Sequence, residues 1–182
     1  PWVFDLYHSR RIAPAACFEK LAAAAVRFDM VTWTEELSVG IDELDDDHKR
    51  LIEIINRLET VSGDAEDPEG LRQCIYSLMR YAEYHFAREE KVMAACAYAG
   101  LSGHEDEHLA FTLKIREVAR RFEVDPEAAR VHIAGQLIAF LNSWLIEHIM
   151  VNDMAYSPIA CESPEARRVA KSVRGSHVWW GS

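Results

Sequence analysis

The chain has 182 residues, 49% of them hydrophobic, with eight Gly and six Pro, which suits one helix-rich domain with a buried core. Its formal charge of -10 is concentrated in residues 30–161, where 25 acidic side chains face 12 basic ones, and a body that acidic repels nucleic acid and anionic lipid. Cys17, Cys74, Cys96 and Cys161 are scattered and form no C-x-x-C pair, which excludes a disulfide framework and a zinc site and leaves reduced thiols in a cytoplasmic protein.

Residues 1–29 read as an N-terminal extension with a helix over 15–28. Arg10-Arg11 followed by Ile12–Val26 has the outline of a signal peptide, but Glu19 and Lys20 interrupt its apolar run. No apolar run is expected to reach transmembrane length, so no membrane insertion is expected. Residues 30–160 then predict four helices, at 42–60, 68–95, 103–122 and 126–150. Their starts are marked by Asp67-Pro68-Glu69, by a capping box of Ser102 with Glu105, and by Asp125-Pro126-Glu127. Gly63 and Gly175 mark helix stops. Residues 161–182 form a C-terminal extension with a short helix at 164–174, opened by Ser163-Pro164-Glu165.

The apolar register links these helices. Leu44, His48, Leu51, Ile55 and Leu58 follow the alternating four-and-three spacing in the first helix. Leu71, Ile75, Leu78, Ala82, His85, Glu89, Val92 and Cys96 do so in the second, and His104, His108, Phe111, Ile115, Val118 and Phe122 in the third. Ala134, Leu137, Leu141, Trp144 and His148 complete the fourth. Four such seams with short connections predict an all-α protein, an antiparallel up-down-up-down four-helix bundle.

Five histidines and a glutamate occupy those otherwise apolar seams. One histidine there is ordinary core; six ionisable groups, buried without partners, would cost several kcal/mol each. In an antiparallel bundle the starts of helices one and three meet the ends of two and four, so all six residues reach one layer. His85 with Glu89, and His104 with His108, are i,i+4 pairs on single faces. Asp153, five residues after His148, joins only if the fourth helix loosens or ends there. Imidazoles mixed with carboxylates form a transition-metal site. Seven donors are too many for one ion, so two are implied. Five terminal nitrogens and three bridges, two carboxylates and a solvent-derived oxygen, leave one vacancy in a six-coordinate pair, which suits a small diatomic ligand on iron.

These residues resemble a known family. Val39-Gly40-Ile41-Asp42 with Asp47-His48-Lys49-x-Leu51 is similar to the first helix of hemerythrins and bacteriohemerythrins. So are His85-Phe86-x-x-Glu89-Glu90-x-x-Met93, His104-x-x-x-His108 and His148-Ile149-x-x-x-Asp153-x-x-Tyr156. The likeness covers about residues 32–160; Ala99 stands where the family has Pro after Tyr98. It implies that His104, His108 and His148 bind a saturated iron and that His48 and His85 bind the iron with the open position. Glu89, Asp153 and an oxo or hydroxo group would bridge the two iron ions. Leu51, Phe86, Trp144, Leu145 and Ile149 would wall the O2 pocket and keep out water and anions.

The expected function is reversible dioxygen binding without enzymatic turnover, for transport, storage or delivery to an oxygen-consuming enzyme. The alternatives are a sensor module acting on a fused signalling domain and a di-iron peroxidase or nitric-oxide-handling enzyme. Glu105-x-x-His108 is the single Glu-x-x-His element, against the two of ferritin-like sites. His8, His132 and His177 read as surface residues, Asp45-Asp46-Asp47 as a solvated helix start, and Trp179-Trp180 as aromatics of open role.

Overall fold

In the computed structural model, residues 30–62, 67–125 and 134–173 are described, and every regular element among them is helical. A 3-10 turn at Glu35–Leu37 leads to α1 (Asp42–Ser62), α2 (Pro68–Ala95), α3 (Leu101–Val124) and α4 (Ala134–Glu147). The helix continues through a π-helical turn, His148–Asp153, into α5 (Met154–Glu162), followed by α6 (Pro164–Ser172). The chain forms the antiparallel four-helix bundle that its seams predict. α1 packs on α2 and α4, and α2 packs on α3. Phe111 against Phe140 and Trp144 joins α3 to α4.

Every seam position is buried except Cys96 and Trp144, which are half-buried. Leu44, Leu58, Leu78 and Leu141 are fully enclosed, each contributing roughly 1.5–3 kcal/mol by leaving water. The expected helix at 15–28, the segment 126–133, Gly63, Gly175, Cys17, Trp179-Trp180, His8, His132 and His177 lie outside the described residues. Cys74, Cys96 and Cys161 are free thiols.

Two expectations about helix ends hold. The Asp67 side chain accepts from Gly70 N at 2.7 Å, and Ser163 Oγ accepts from Ala166 N at 3.1 Å. The capping box does not form: α3 begins at Leu101, its N-cap is Gly100 without a side-chain bond, and Ser102 is already helical. The reason lies in the preceding turn. Ala97 adopts φ 53, while Ala97 N donates to Ala94 O and Tyr98 N to Met93 O, the paired bonds of a Schellman stop. That stop turns the chain so tightly that Leu101 N already finds Tyr98 O, at 3.3 Å.

The expectation that no apolar run reaches transmembrane length also needs correction. Continuous helix from Ala134 to Glu162 meets that length, with a mean hydropathy of 1.2. It does so as a bundle helix whose inner face is the core: Leu137, Leu141, Leu145 and Ile149 are buried in it, together with His148 and Asp153.

Candidate metal centre

All seven side chains singled out in the sequence reach one layer of the bundle. α1 brings His48, α2 brings His85 and Glu89, α3 brings His104 and His108, and the π-helical turn brings His148 and Asp153. None is more than 5% exposed. Asp153 arrives because the helix widens. In an α-helix five residues would carry it about 140° from His148. The π turn widens the repeat, and Asp153 Oδ1 comes to 3.3 Å from His148 Nε2.

The five imidazoles all present Nε2 to Glu89, and those of His48, His104 and His148 also face Asp153. Glu89 lies 3.7 Å from His48, 3.4 Å from His85, 3.8 Å from His104, 3.2 Å from His108 and 4.0 Å from His148. Asp153 divides its oxygens, Oδ2 lying 3.3 Å from His48 and Oδ1 3.4 Å from His104. Two compact donor groups result: Glu89 with His104, His108 and His148, and Glu89 with His48 and His85. Glu89 belongs to both, and Asp153 faces both.

Proximity here is not mutual hydrogen bonding. His48 Nε2, His104 Nε2, Glu89 Oε2 and both Asp153 oxygens are buried without an aligned partner. Orphaned polar atoms of this kind cost about 1–3 kcal/mol each, so an arrangement with several of them calls for a shared ligand. Nitrogen and oxygen donors without thiolate suit iron or another first-row ion, and the residues present fit such an ion in each group.

The electrostatics agree. Burial alone would lower the pKa of His48, but the facing Asp153 and Glu89 outweigh it and pull it up to about 10. His148 is raised in the same way, against burial, first by Asp153. Burial pushes the Glu89 carboxyl up, yet the charge of His85 and the Nε2 groups of His104, His108 and His148 facing it hold it well below the usual carboxylate range. A cation among these groups, proton or metal ion, is what their geometry favours.

A second layer orients the first. His108 Nδ1 lies 2.9 Å from Glu90 Oε1, and His148 Nδ1 lies 3.4 Å from Glu107 Oε2 and 3.3 Å from Asn152 Nδ2. His85 Nδ1 lies 3.5 Å from Asp47 Oδ2. Partners on Nδ1 fix ring orientation and leave Nε2 for the centre. Tyr156 donates to Glu89 Oε1 at 2.6 Å. Burial, with Glu89 and Asp153 beside it, raises the phenol well above its usual range, so it remains a donor.

The five expected wall residues all belong to the hydrophobic core or pack against it. Leu51, Phe86, Leu145 and Ile149 are buried, and Trp144 is half-buried. Phe86 stacks on His108 with centroids 3.9 Å apart, and Trp144 stacks on His148 at 4.3 Å. Phe86 also meets His85 at 5.7 Å. The rings therefore pack directly on donor imidazoles.

One reading fails. Asp45-Asp46-Asp47 is not a solvated run, since Asp45 and Asp47 are buried at 7% and 4%. Asp45 takes Val39 N at 2.8 Å and Ser38 Oγ at 2.6 Å, tying down the loop before α1. Asp47 takes Tyr81 Oη at 2.9 Å and Arg88 Nη1 at 2.7 Å. Its one legible signal was position, since Asp47 precedes donor His48 as Arg88 precedes donor Glu89.

Comparison with known proteins agrees with this arrangement. Residues 39–160 match the Hemerythrin HHE cation binding domain family. A bacteriohemerythrin of Stenotrophomonas maltophilia is 30% identical over 128 residues, covering 70% of this chain and 80% of that protein. One from Clostridium acetobutylicum is 30% identical over 130 residues, with 98% of its length covered. A myohemerythrin of Riftia pachyptila is 27% identical over 124 residues, 68% of this chain and 88% of its own. In fold, the chain is similar to a crystal structure of wild-type hemerythrin, with TM-score 0.65 and 24% identity over 73% of this chain and 99% of that one. With the family pattern matched across two-thirds of its length, the chain belongs to the hemerythrin family.

Proposed function

We propose that this chain binds dioxygen reversibly at a non-haem di-iron centre, for transport, storage or delivery to an oxygen-consuming enzyme. The observation that carries the reading is the division of six buried side chains into two donor groups that share Glu89, with Asp153 facing a histidine of each. Family membership supports the choice of iron and of oxygen. In this reading His104, His108 and His148 would hold one iron, His48 and His85 would hold the other, and Glu89 and Asp153 would supply carboxylate oxygens to both. When bound, the iron pair supplies the electrons and the coordination position that dioxygen needs.

The protein's own contribution is positioning and exclusion. Asp47 and Glu90 hold the rings of His85 and His108, and Tyr156 holds Glu89. Leu51, Phe86, Trp144, Leu145 and Ile149 present an apolar wall that keeps water and anions from the reduced pair. Reversibility rests on that dryness, because no acid or base among these wall residues is available to drive oxygen onward.

The test is to load the protein with ferrous iron without air, admit oxygen, and then flush it out. A visible charge-transfer band that appears and disappears over repeated cycles supports the reading. One ion per chain, zinc alone in native material, or permanent oxidation on first exposure overturns it. Sustained consumption of peroxide or nitric oxide with added reductant would instead place the chain among di-iron enzymes.

A further inference from the structure

Arg88 is a buried cation, 7% exposed, one residue before Glu89. Its Nη1 donates to Asp47 Oδ2 at 2.7 Å and to the Glu43 carbonyl at 2.9 Å. Its Nη2 donates to the Val173 carbonyl at 2.6 Å and contacts the Tyr84 hydroxyl. Tyr84 donates to that same carbonyl at 3.1 Å. The Asp47 oxygen that accepts from Arg88 is also the one 3.5 Å from His85 Nδ1. A continuous path therefore runs from His85 through Asp47 and Arg88 to the carbonyl of Val173, the C-cap residue just past the C-terminal helix.

That helix lies beyond residues 39–160, the part matched to the family. It packs on α2, with Ala166 and Ala170 fully buried, and its Val173 N closes on Val169 O at 3.3 Å. Small residues at those two positions let it approach α2 closely enough for Val173 to reach Arg88. A guanidinium suits this place because it is planar and offers separate nitrogens to two acceptors. A cation is also favoured beside the carbonyl end of a helix.

We propose that Arg88 is a positioning residue for the His85 side of the centre, and that the C-terminal helix completes it, so that metal occupancy and docking of residues 164–173 are coupled. The proposal rests on the di-iron reading above. Its physical basis is that Asp47 has one Oδ2 to share. When metal takes His85 Nε2, the ring is fixed with Nδ1–H toward Asp47, which holds Asp47 and Arg88 in the geometry that grips Val173. Without metal, Nε2 is held only by the 3.4 Å approach of Glu89 and by ring packing, so the ring fixes Asp47 less firmly and the grip loosens. Coupling of this kind is reciprocal.

The experiment compares amide hydrogen exchange in the full chain, metal-free and loaded with ferrous iron without air, with bound iron counted in the same samples. Loading should slow exchange at Val169–Val173 by about tenfold, within the usual span of coupling. In Arg88→Lys, whose single ammonium replaces two separated nitrogens, the chain should still bind iron but the loaded-to-free ratio should fall to about one. Arg88→Met should lose the ratio as well; if it fails to fold, Arg88→Lys and the unmodified chain still decide. Two irons per chain with unchanged exchange at Val169–Val173, or a ratio that survives in Arg88→Lys, overturns the coupling and leaves the centre standing. Failure to take up two irons overturns both.

Discussion

Glu89 faces all five imidazoles and accepts the Tyr156 hydroxyl, so the two carboxylate oxygens have different surroundings. Tyr156→Phe removes the donor and leaves a fully buried oxygen unpaired. The metal-free protein should lose about 1–3 kcal/mol, read from denaturant unfolding, and an unchanged midpoint would show that the hydroxyl contributes nothing. His148→Ala removes a donor from only one of the two groups. Bound iron should drop from two per chain to one or none, as counted by metal analysis; two irons retained would exclude His148 as a ligand. These donors were legible because ionisable residues on apolar seams have no ordinary explanation. Asp47 was not. Its pattern matched any acidic helix start, and its burial depends on Tyr81 and Arg88, more than thirty residues away.

At the level of elements, the seams foretold α2 to the residue and α1 to within two residues, because long amphipathic helices carry their own periodicity. Turns carry less information. The stop of α2 falls on Ala97, an L-residue with a side chain held at φ 53. That conformation costs a non-glycine residue roughly 1–2 kcal/mol. Ala97→Gly should therefore stabilise the fold by about 1 kcal/mol, less the extra entropy glycine brings to the unfolded chain. Thermal unfolding would record this as a higher midpoint, and a lower one would mean the turn is not strained. The π-helical turn at His148–Asp153 belongs to the same class. Spacing showed that the helix had to change there, while the form of the change follows from the need to place both His148 and Asp153 inward.

Among the described residues, seven buried ionisable groups gather in one layer, with Asp45, Asp47 and Arg88 buried beyond them, and the rest of the core is mostly aliphatic. Any ion that satisfies the orphaned atoms binds the folded chain and not the unfolded one, so it stabilises by mass action. Free iron at about 100 times its Kd should add about 2.7 kcal/mol. A chelator should lower the thermal midpoint accordingly, and an identical midpoint with and without metal would argue against a preformed site. The long apolar helix from Ala134 to Glu162 takes its meaning only at this scale. Composition alone makes it resemble a membrane span; packed in the bundle, its inner face is core and site together.

By itself the amino-acid order determined the helices, their antiparallel packing and the six ionisable groups on the seams, because all of these follow from local periodicity and from the cost of burying unpaired polar groups, whereas Asp153 falls off that repeat. Tertiary structure decided what depends on distant partners: the membership of Glu89 in both donor groups, the inward placement of Asp153, the burial of Asp45 and Asp47, and the path from His85 to Val173. Hydrogen-bond geometry acts over a few ångströms in space, whatever the separation along the chain, so no local pattern encodes it.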